Sequence, residues 1–380
     1  MNTLNNSING KPLVVLEGQS NQVVDGAAQV ILVNCRGMVV QNVVDIGLNK
    51  PIQLYGVTDS VITKCESHIS LVNSDNNLLV DNEFSKTGGT WQSAAVLLSN
   101  SHSNTVMQNV VVGVNSCGII VTGSNYNKIE KNSIKSTSIS KLDNCAGMTL
   151  GGYKNYVYEN DIVCEEFGLN LSGEHNVFFK NNVSHGKCSV YLSNALYNDV
   201  LGNNLSGASE SAVCLVSSDF NNFVWNNFID NSKVYEIHET YWMTFTNFSY
   251  YAEYNKWDNG KEGNYWSDYT GQDTNGYGIG KTVYMVYENF TDNYPLTGLY
   301  DISKIQIALE PEVGSSIELP QLPITTSTPT ATGTSEGNNS KAFPTTAVIV
   351  AVISVAVIVA AVVSVVFLKR AKNEDRTKIV

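Results

Sequence analysis

Acidic side chains that could work as paired acids and bases gather at two places. Glu165, Glu166, Glu174 and His175 lie close together, and Asp59, Glu66 and His68 form a second group. Two carboxylates at a fixed gap can hydrolyse a glycosidic bond, and a positioned base can abstract a proton from a sugar acid. Neither group follows the NTD, DD, GH and RIK series of galacturonan hydrolases or the DPHD motif of uronan epimerases. Arg36 is the one arginine before residue 370. Solvated charge on turns accounts for both groups, so no catalytic residues are assigned. Soft-metal chemistry wants His, Met and Cys at close spacing. His68, His102, His175, His185 and His238 are scattered, with no HxH, MxxM or CxxC. Asp273 and Asn275 open a run that reads like a calcium loop. Its third ligand slot holds Tyr277 and its twelfth position Tyr284, so calcium is at most a weak expectation.

Aromatic chemistry is concentrated late in the chain. Residues 235–300 hold 12 of the 19 tyrosines and three of the five tryptophans. Tyr and Trp offer apolar faces with polar handles, which suits sugar rings. Trp242, Trp257, Tyr265, Trp266 and Tyr269 are therefore candidate carbohydrate contacts. The same block also suits a terminal cap, which a repeat rod needs to cover its last coil.

The elements that would position these groups come from a repeat. A second asparagine in each copy falls at Asn42, Asn82, Asn109, Asn132, Asn160, Asn182, Asn204 and Asn227, with Cys65 in the remaining slot. The steps run from 17 to 28 residues, and most are 22 or 23. Clean copies read SNYNKIEKNSI, GEHNVFFKNNV, ALYNDVLGNNL and DFNNFVWNNFI, each preceded by a short apolar run such as GIIV or SVYL. A period in the twenties means a solenoid. Short β-branched and aromatic runs between Asn, Gly and Ser turns mean strands. The pattern predicts a parallel β-helix, right-handed as parallel crossovers are, with a rise of about 4.8 Å per coil. The eight asparagines are expected to stack as an inner amide ladder, with a local defect at Cys65. The longer steps place inserted loops near 88–92 and 136–144. Seven cysteines leave at least one thiol unpaired within the chain.

Composition bounds the rest. The net charge of −12 argues against a nucleic-acid partner. Residues 347–368 form an apolar run interrupted only by Ser354 and Ser364. As a helix it would span about 33 Å, enough to cross a bilayer. Lys369, Arg370, Lys372, Arg376 and Lys378 follow, which marks a cytoplasmic tail. The expected order is β-helix over 1–230, aromatic terminal coils over 231–300, a Thr/Ser/Pro stalk over 301–346, a single membrane span over 347–368 and a basic tail over 369–380. The rod would then lie outside the cell. The opening residues lack a signal-peptide pattern, so a missing N-terminal segment is expected. Glycosylation sequons fall at Asn5, Asn170, Asn182, Asn204, Asn247, Asn289 and Asn338, with Asn182 and Asn204 discounted as ladder residues.

The run NKWDNGKEGNYWSDYTGQDTNGYGIG closely resembles the terminal block of archaeal NosD-type surface proteins, and residues 8–35 resemble the coil that precedes their repeats. The resemblance covers residues 8–298. It implies a β-helix of the carbohydrate-binding and sugar-hydrolase kind, and a copper-binding label taken from a protein that helps mature nitrous oxide reductase. Relatives carry an Asp-rich DTDGDGIGD-like loop, from which this chain departs at Tyr277 and Lys281. Three functions follow as expectations. The first is a non-catalytic surface protein binding a polysaccharide or an envelope glycoprotein. The second is a polysaccharide lyase, hydrolase or epimerase. The third is a copper-maturation accessory.

Overall fold

The computed structural model of the protein describes residues 6–309 except 45, 48–50, 86–93, 115–116, 137–145, 233–234, 238–253 and 288–289. The expected inserted loops, most of the stalk, the membrane span, the basic tail and Trp242 lie outside the described residues. No helix among the described residues is long and apolar enough to cross a membrane.

Most coils from Glu83 onward contribute one strand to each of three sheets, the earlier coils to the first two, and the sheets are the walls of a parallel β-helix. The first sheet has twelve strands, running from Ser7–Ile8 through Ala146–Tyr153 to Tyr235–Ile237. The second has ten, from Val23–Asp25 to Asn222–Val224, and the third eight, from Glu83–Phe84 to Tyr265–Trp266. Every pairing in these sheets is parallel except that of Ser7–Ile8 with Lys11–Glu17. Alternation decides what points inward. On the first sheet Val30, Ile52, Ile69, Val96, Ile119, Met148, Leu169, Val190 and Val213 stack in one buried row. Leu32, Leu54, Leu71, Leu98, Val121, Leu150, Leu171, Leu192 and Leu215 make another. No coil could bury these rows alone; each needs its neighbours.

Two inner amide ladders run through the turns. The first comprises Asn77, Asn104, Asn127, Asn155, Asn176, Asn198, Asn221 and Asn255, at the corner between the first and second sheets. The second comprises Asn82, Asn109, Asn132, Asn160, Asn181, Asn203, Asn226 and Asn264, at the corner between the second and third. At each rung the backbone N–H and the side-chain amide both donate to the next rung's Oδ1, as from Asn132 to Asn160 at 2.9 Å. All these amides are buried, and the bonds remove the cost of burying them.

The expected ladder is thus corrected at four positions. Asn82, Asn109, Asn132 and Asn160 belong to it. Asn182, Asn204 and Asn227 do not, because the inward residue of each Asn-Asn pair is the first one. A slip of one residue moves a side chain to the other face, and Val183, Leu205 and Phe228 fix the register by pointing inward. Asn182, Asn204 and Asn227 form a separate outer chain of amides, with Nδ2 to Oδ1 distances of 2.7 Å. Asn182 is exposed, so the reason for discounting its sequon falls away. Asn42 is exposed with φ of 56°, its amide donating to Asp25, and buried Val43 takes the inner slot. Cys65 is no defect: its amide N–H donates to Asn82 Oδ1 at 3.0 Å and so begins the second ladder.

The second ladder ends on a carboxylate. Asn264 N–H donates to Asp292 Oδ2 at 2.7 Å, Trp266 Nε1 to the same oxygen at 2.9 Å, and Tyr294 N–H to Oδ1 at 3.0 Å. Asp292 has no solvent exposure. From the cap the chain turns back along the rod. Tyr300 exchanges two backbone bonds with the Asn227 side chain, at 2.8 and 2.9 Å, and stacks near Trp225. Ile305, Ile307 and Leu309 then cover Tyr156, Tyr158, Val177, Phe179 and Leu201 on the outside of the second sheet. Residues 301–309 are therefore a strap on the rod and not the start of a stalk. Their apolar side chains find an aromatic face that would otherwise be wet.

Candidate functional site

The residues before the first seven asparagines of the first ladder have a left-handed backbone. Asn76, Ser103, Tyr126, Lys154, His175, Tyr197 and Phe220 have φ between 53° and 59°. That conformation turns the chain at the corner and aims each side chain outward, one above the next. Asn tolerates it cheaply, but aromatic residues do not. Here the cost is offset by stacking. His175 and Tyr197 lie 5.3 Å apart at 11°, Tyr197 and Phe220 5.0 Å at 13°, and Phe220 and Tyr254 5.2 Å at 7°. Each such pair contributes about 0.5–1.5 kcal/mol beyond its burial.

Lys154 interrupts the row, and Tyr153 swings into the gap. Its ring stands at 85° to Tyr126 and 73° to His175, with the Lys154 ammonium 5.5 Å from its centre. The result is a rail of six rings along one corner. Tyr126, Tyr197, Phe220 and Tyr254 are 47%, 47%, 43% and 56% exposed. Large aromatic groups held in contiguous exposure usually mark an interaction surface. Four phenols punctuate the rail and supply donors and acceptors. The repeat already carried this signal: the residue before the first Asn of the clean copies is Tyr, His, Tyr and Phe.

Two of the candidate carbohydrate contacts in the terminal block, Trp257 and Trp266, take another role. Trp257 and Trp266 are 3% and 0% exposed, so neither can offer a face to a sugar. Trp257 stacks on Phe223 at 4.5 Å, and Trp266 lies between Phe228 and Tyr284 at 4.3 and 4.4 Å. They plug the end of the hydrophobic core. Tyr265 pairs with Asn227 in the third sheet, and the Tyr269 hydroxyl donates to the Thr282 carbonyl. Asp273 uses its oxygens to accept from the backbone N–H groups of Asn275, Gly276 and Gly278. The Gly278 amide above all, with Asn275 and Gly276, holds the carboxyl below the usual range. Asn275 Oδ1 accepts from the Tyr277 N–H. These bonds describe a turn organised by its own carboxylate.

The two acidic groups do not converge. Glu166 pairs with Lys187 at 2.6 Å at the turn leading into the first sheet, while Glu174 and His175 sit at the far end of that sheet's strand, at the aromatic corner. Asp59 pairs with Arg36 at 2.8 Å, and buried His68 is engaged through Nδ1 with the Ala94 carbonyl at 2.6 Å. Cys35, Cys65, Cys164, Cys188 and Cys214 are buried thiols. Burial pushes the Cys65 and Cys164 thiols up to about 11 and about 12, and raises Cys188 as well.

The family model described as Periplasmic copper-binding protein (NosD) matches residues 4–184 and 141–271. A search of curated proteins found no match. Among solved structures, the periplasmic alginate epimerase AlgG is similar with a TM-score of 0.40 and 10% identity, over 60% of this chain and 74% of that one. A substituted form of AlgG gives 0.36 and 13%, over 60% of this chain and 59% of that one, so the chain spans well under two thirds of its length. The Azotobacter vinelandii mannuronan C-5 epimerase AlgE6 A-module gives 0.38 and 10%, over 66% and 90%. Likenesses at this level carry nothing about chemistry. The copper label does not fit the residues present: among the described residues no three His, Cys, Asp or Glu side chains come together as ligands, and the buried thiols are shifted away from the thiolate a metal needs. The family itself is shown by a match extending over most of the rod and its first terminal coils, and the chain belongs to the NosD family.

Proposed function

We propose that this protein is a non-catalytic β-helix that binds glycan on the cell surface, with the aromatic rail as its contact. The observation that carries the reading is the exposure of stacked rings at left-handed positions, where a polar residue would be easier to place. Phenols and ring edges in a row suit the mixed apolar and hydroxyl surface of a sugar chain. Each rung is followed at once by a buried ladder asparagine, so the rail is rigid before binding and loses little entropy on it. The apolar run 347–368 with its basic flank would tether the rod, with the rail outside the cell.

The test is retention on a panel of immobilised neutral and acidic polysaccharides. Tyr197→Asn with Phe220→Asn puts into the rail the residue already found at Asn76 in the same slot and backbone conformation. The paired variant should keep its circular dichroism and lose retention at least about tenfold, which corresponds to about 1.4 kcal/mol. Unchanged retention by the folded variant would leave the rail as corner packing alone.

A further inference from the structure

The rail constrains the shape of what it binds. Its rings repeat at 5.0–5.3 Å from His175 to Tyr254, in step with the stacking of coils. It runs along the rod and not around it, because each ring comes from a successive coil at the same corner. An extended pyranose chain with equatorial links advances by nearly the same length per sugar. A coiled glycan drifts out of register after a few units.

Charge narrows the choice further. The chain carries a net charge of −12, and Glu174 and Asp219 stand in the slot before the rings, Asp219 buried with its carboxylate accepting from the Tyr254 N–H. Lys154 is the one cation in the ring slot itself. The negative charge of the chain as a whole disfavours the approach of a polyanionic glycan. Neutral sugars meet phenols at Tyr126, Tyr153, Tyr197 and Tyr254, with C–H edges between them.

Resting on the glycan-binding reading, we infer that the ligand is a neutral, extended, linear polysaccharide lying parallel to the rod, with one sugar to each coil along the rail. A contact repeated along one line makes affinity climb with ligand length until the rail is covered.

Isothermal titration with three sets of oligosaccharides, dimer to hexamer, tests this on the full chain. The sets are cello-oligosaccharides as the extended neutral probe, malto-oligosaccharides as the coiled neutral probe and oligogalacturonates as the acidic probe. Affinity for the cello set should rise at least about threefold per added sugar, while the malto and acidic sets stay weaker and flat. Tyr197→Asn should reduce hexamer affinity to that of a shorter oligomer, and Tyr197→Phe should retain the length dependence with a smaller loss. Equal affinity for coiled and extended sets, preference for the acidic set, or no dependence on length overturns the inference. Absence of binding by all three sets also overturns it. If retention on the polysaccharide panel still depends on Tyr197 and Phe220 in those cases, the glycan-binding reading stands. If it does not, both fall.

Discussion

Replacing Asp292 with asparagine should change how stability responds to pH. In the folded protein the Asp292 carboxyl is raised from 3.8 to about 6, first by burial and further by nearby Asp258, against the pull of the Asn264, Trp266 and Tyr294 N–H donors. The folded state therefore holds this proton more tightly than the unfolded chain does. Stability from the protonated form is fully present below about 4 and is lost as pH rises through about 6. A shift of about two units corresponds to about 3 kcal/mol. Other carboxylates act in the opposite sense. Asp25, held low by Asn42 and Gln41, contributes stability that is lost as pH falls. The informative quantity is accordingly the difference between wild type and Asp292→Asn. Urea unfolding followed by tryptophan fluorescence at pH 4, 5, 6 and 7 would give it, since Trp257 and Trp266 stand beside the site. The variant loses some hydrogen-bond complementarity at every pH. Its deficit against wild type should be largest at pH 4 and shrink by about 2 kcal/mol toward pH 7, since at pH 4 the unfolded carboxyl is already more than half ionised. Parallel curves, or a deficit that grows with pH, would refute the assignment of a buried, proton-holding carboxylate at the end of the ladder.

Asn132→Leu should destabilise the rod by about 3 kcal/mol or more, because Asn109 loses its acceptor for two N–H groups and the Val106 carbonyl loses a donor; thermal unfolding would show it. Gly202→Ala should loosen the strap by about 1–3 kcal/mol, since φ is +56° and a Cβ there would meet the Ile305 side chain. Limited proteolysis between Tyr300 and Leu309 would report the release. Cys65, Cys164 and Cys188 should resist iodoacetamide at pH 8 in the native protein, as their burial and raised thiols require. Equilibrium dialysis against copper should give no uptake that depends on these residues, and stoichiometric loss of uptake in their serine variants would refute this.

The solenoid was legible because its signal is summed over many copies. Short apolar runs and turn asparagines at a period near 22 leave few architectures open. The face of each asparagine was harder to read. In Asn181-Asn182, Asn203-Asn204 and Asn226-Asn227 both residues satisfy a repeat, and only the inward-pointing Val183, Leu205 and Phe228 decide between them. Trp257 and Trp266 illustrate the converse difficulty. Their type suits a sugar platform and a core plug equally, and burial alone separates the two. Asp292 was invisible as a ladder terminus because it lies 28 residues from Asn264 and outside the repeat. The rail was present in the letters before each first asparagine. Its meaning emerges only when the left-handed turns line those letters up.

The one-way donation along the amide ladders has a consequence for how such rods change length. Any coil between Asn82 and Asn226 offers an acceptor on one side and donors on the other. A duplicated or deleted coil rejoins its neighbours without leaving a mismatched partner. Asp292 breaks that symmetry, since a carboxylate accepts and does not pass the chain onward. Insertion or removal of a middle coil in this rod would leave the ladder bonds intact, whereas loss of Asp292 would leave the Asn264 N–H without its acceptor.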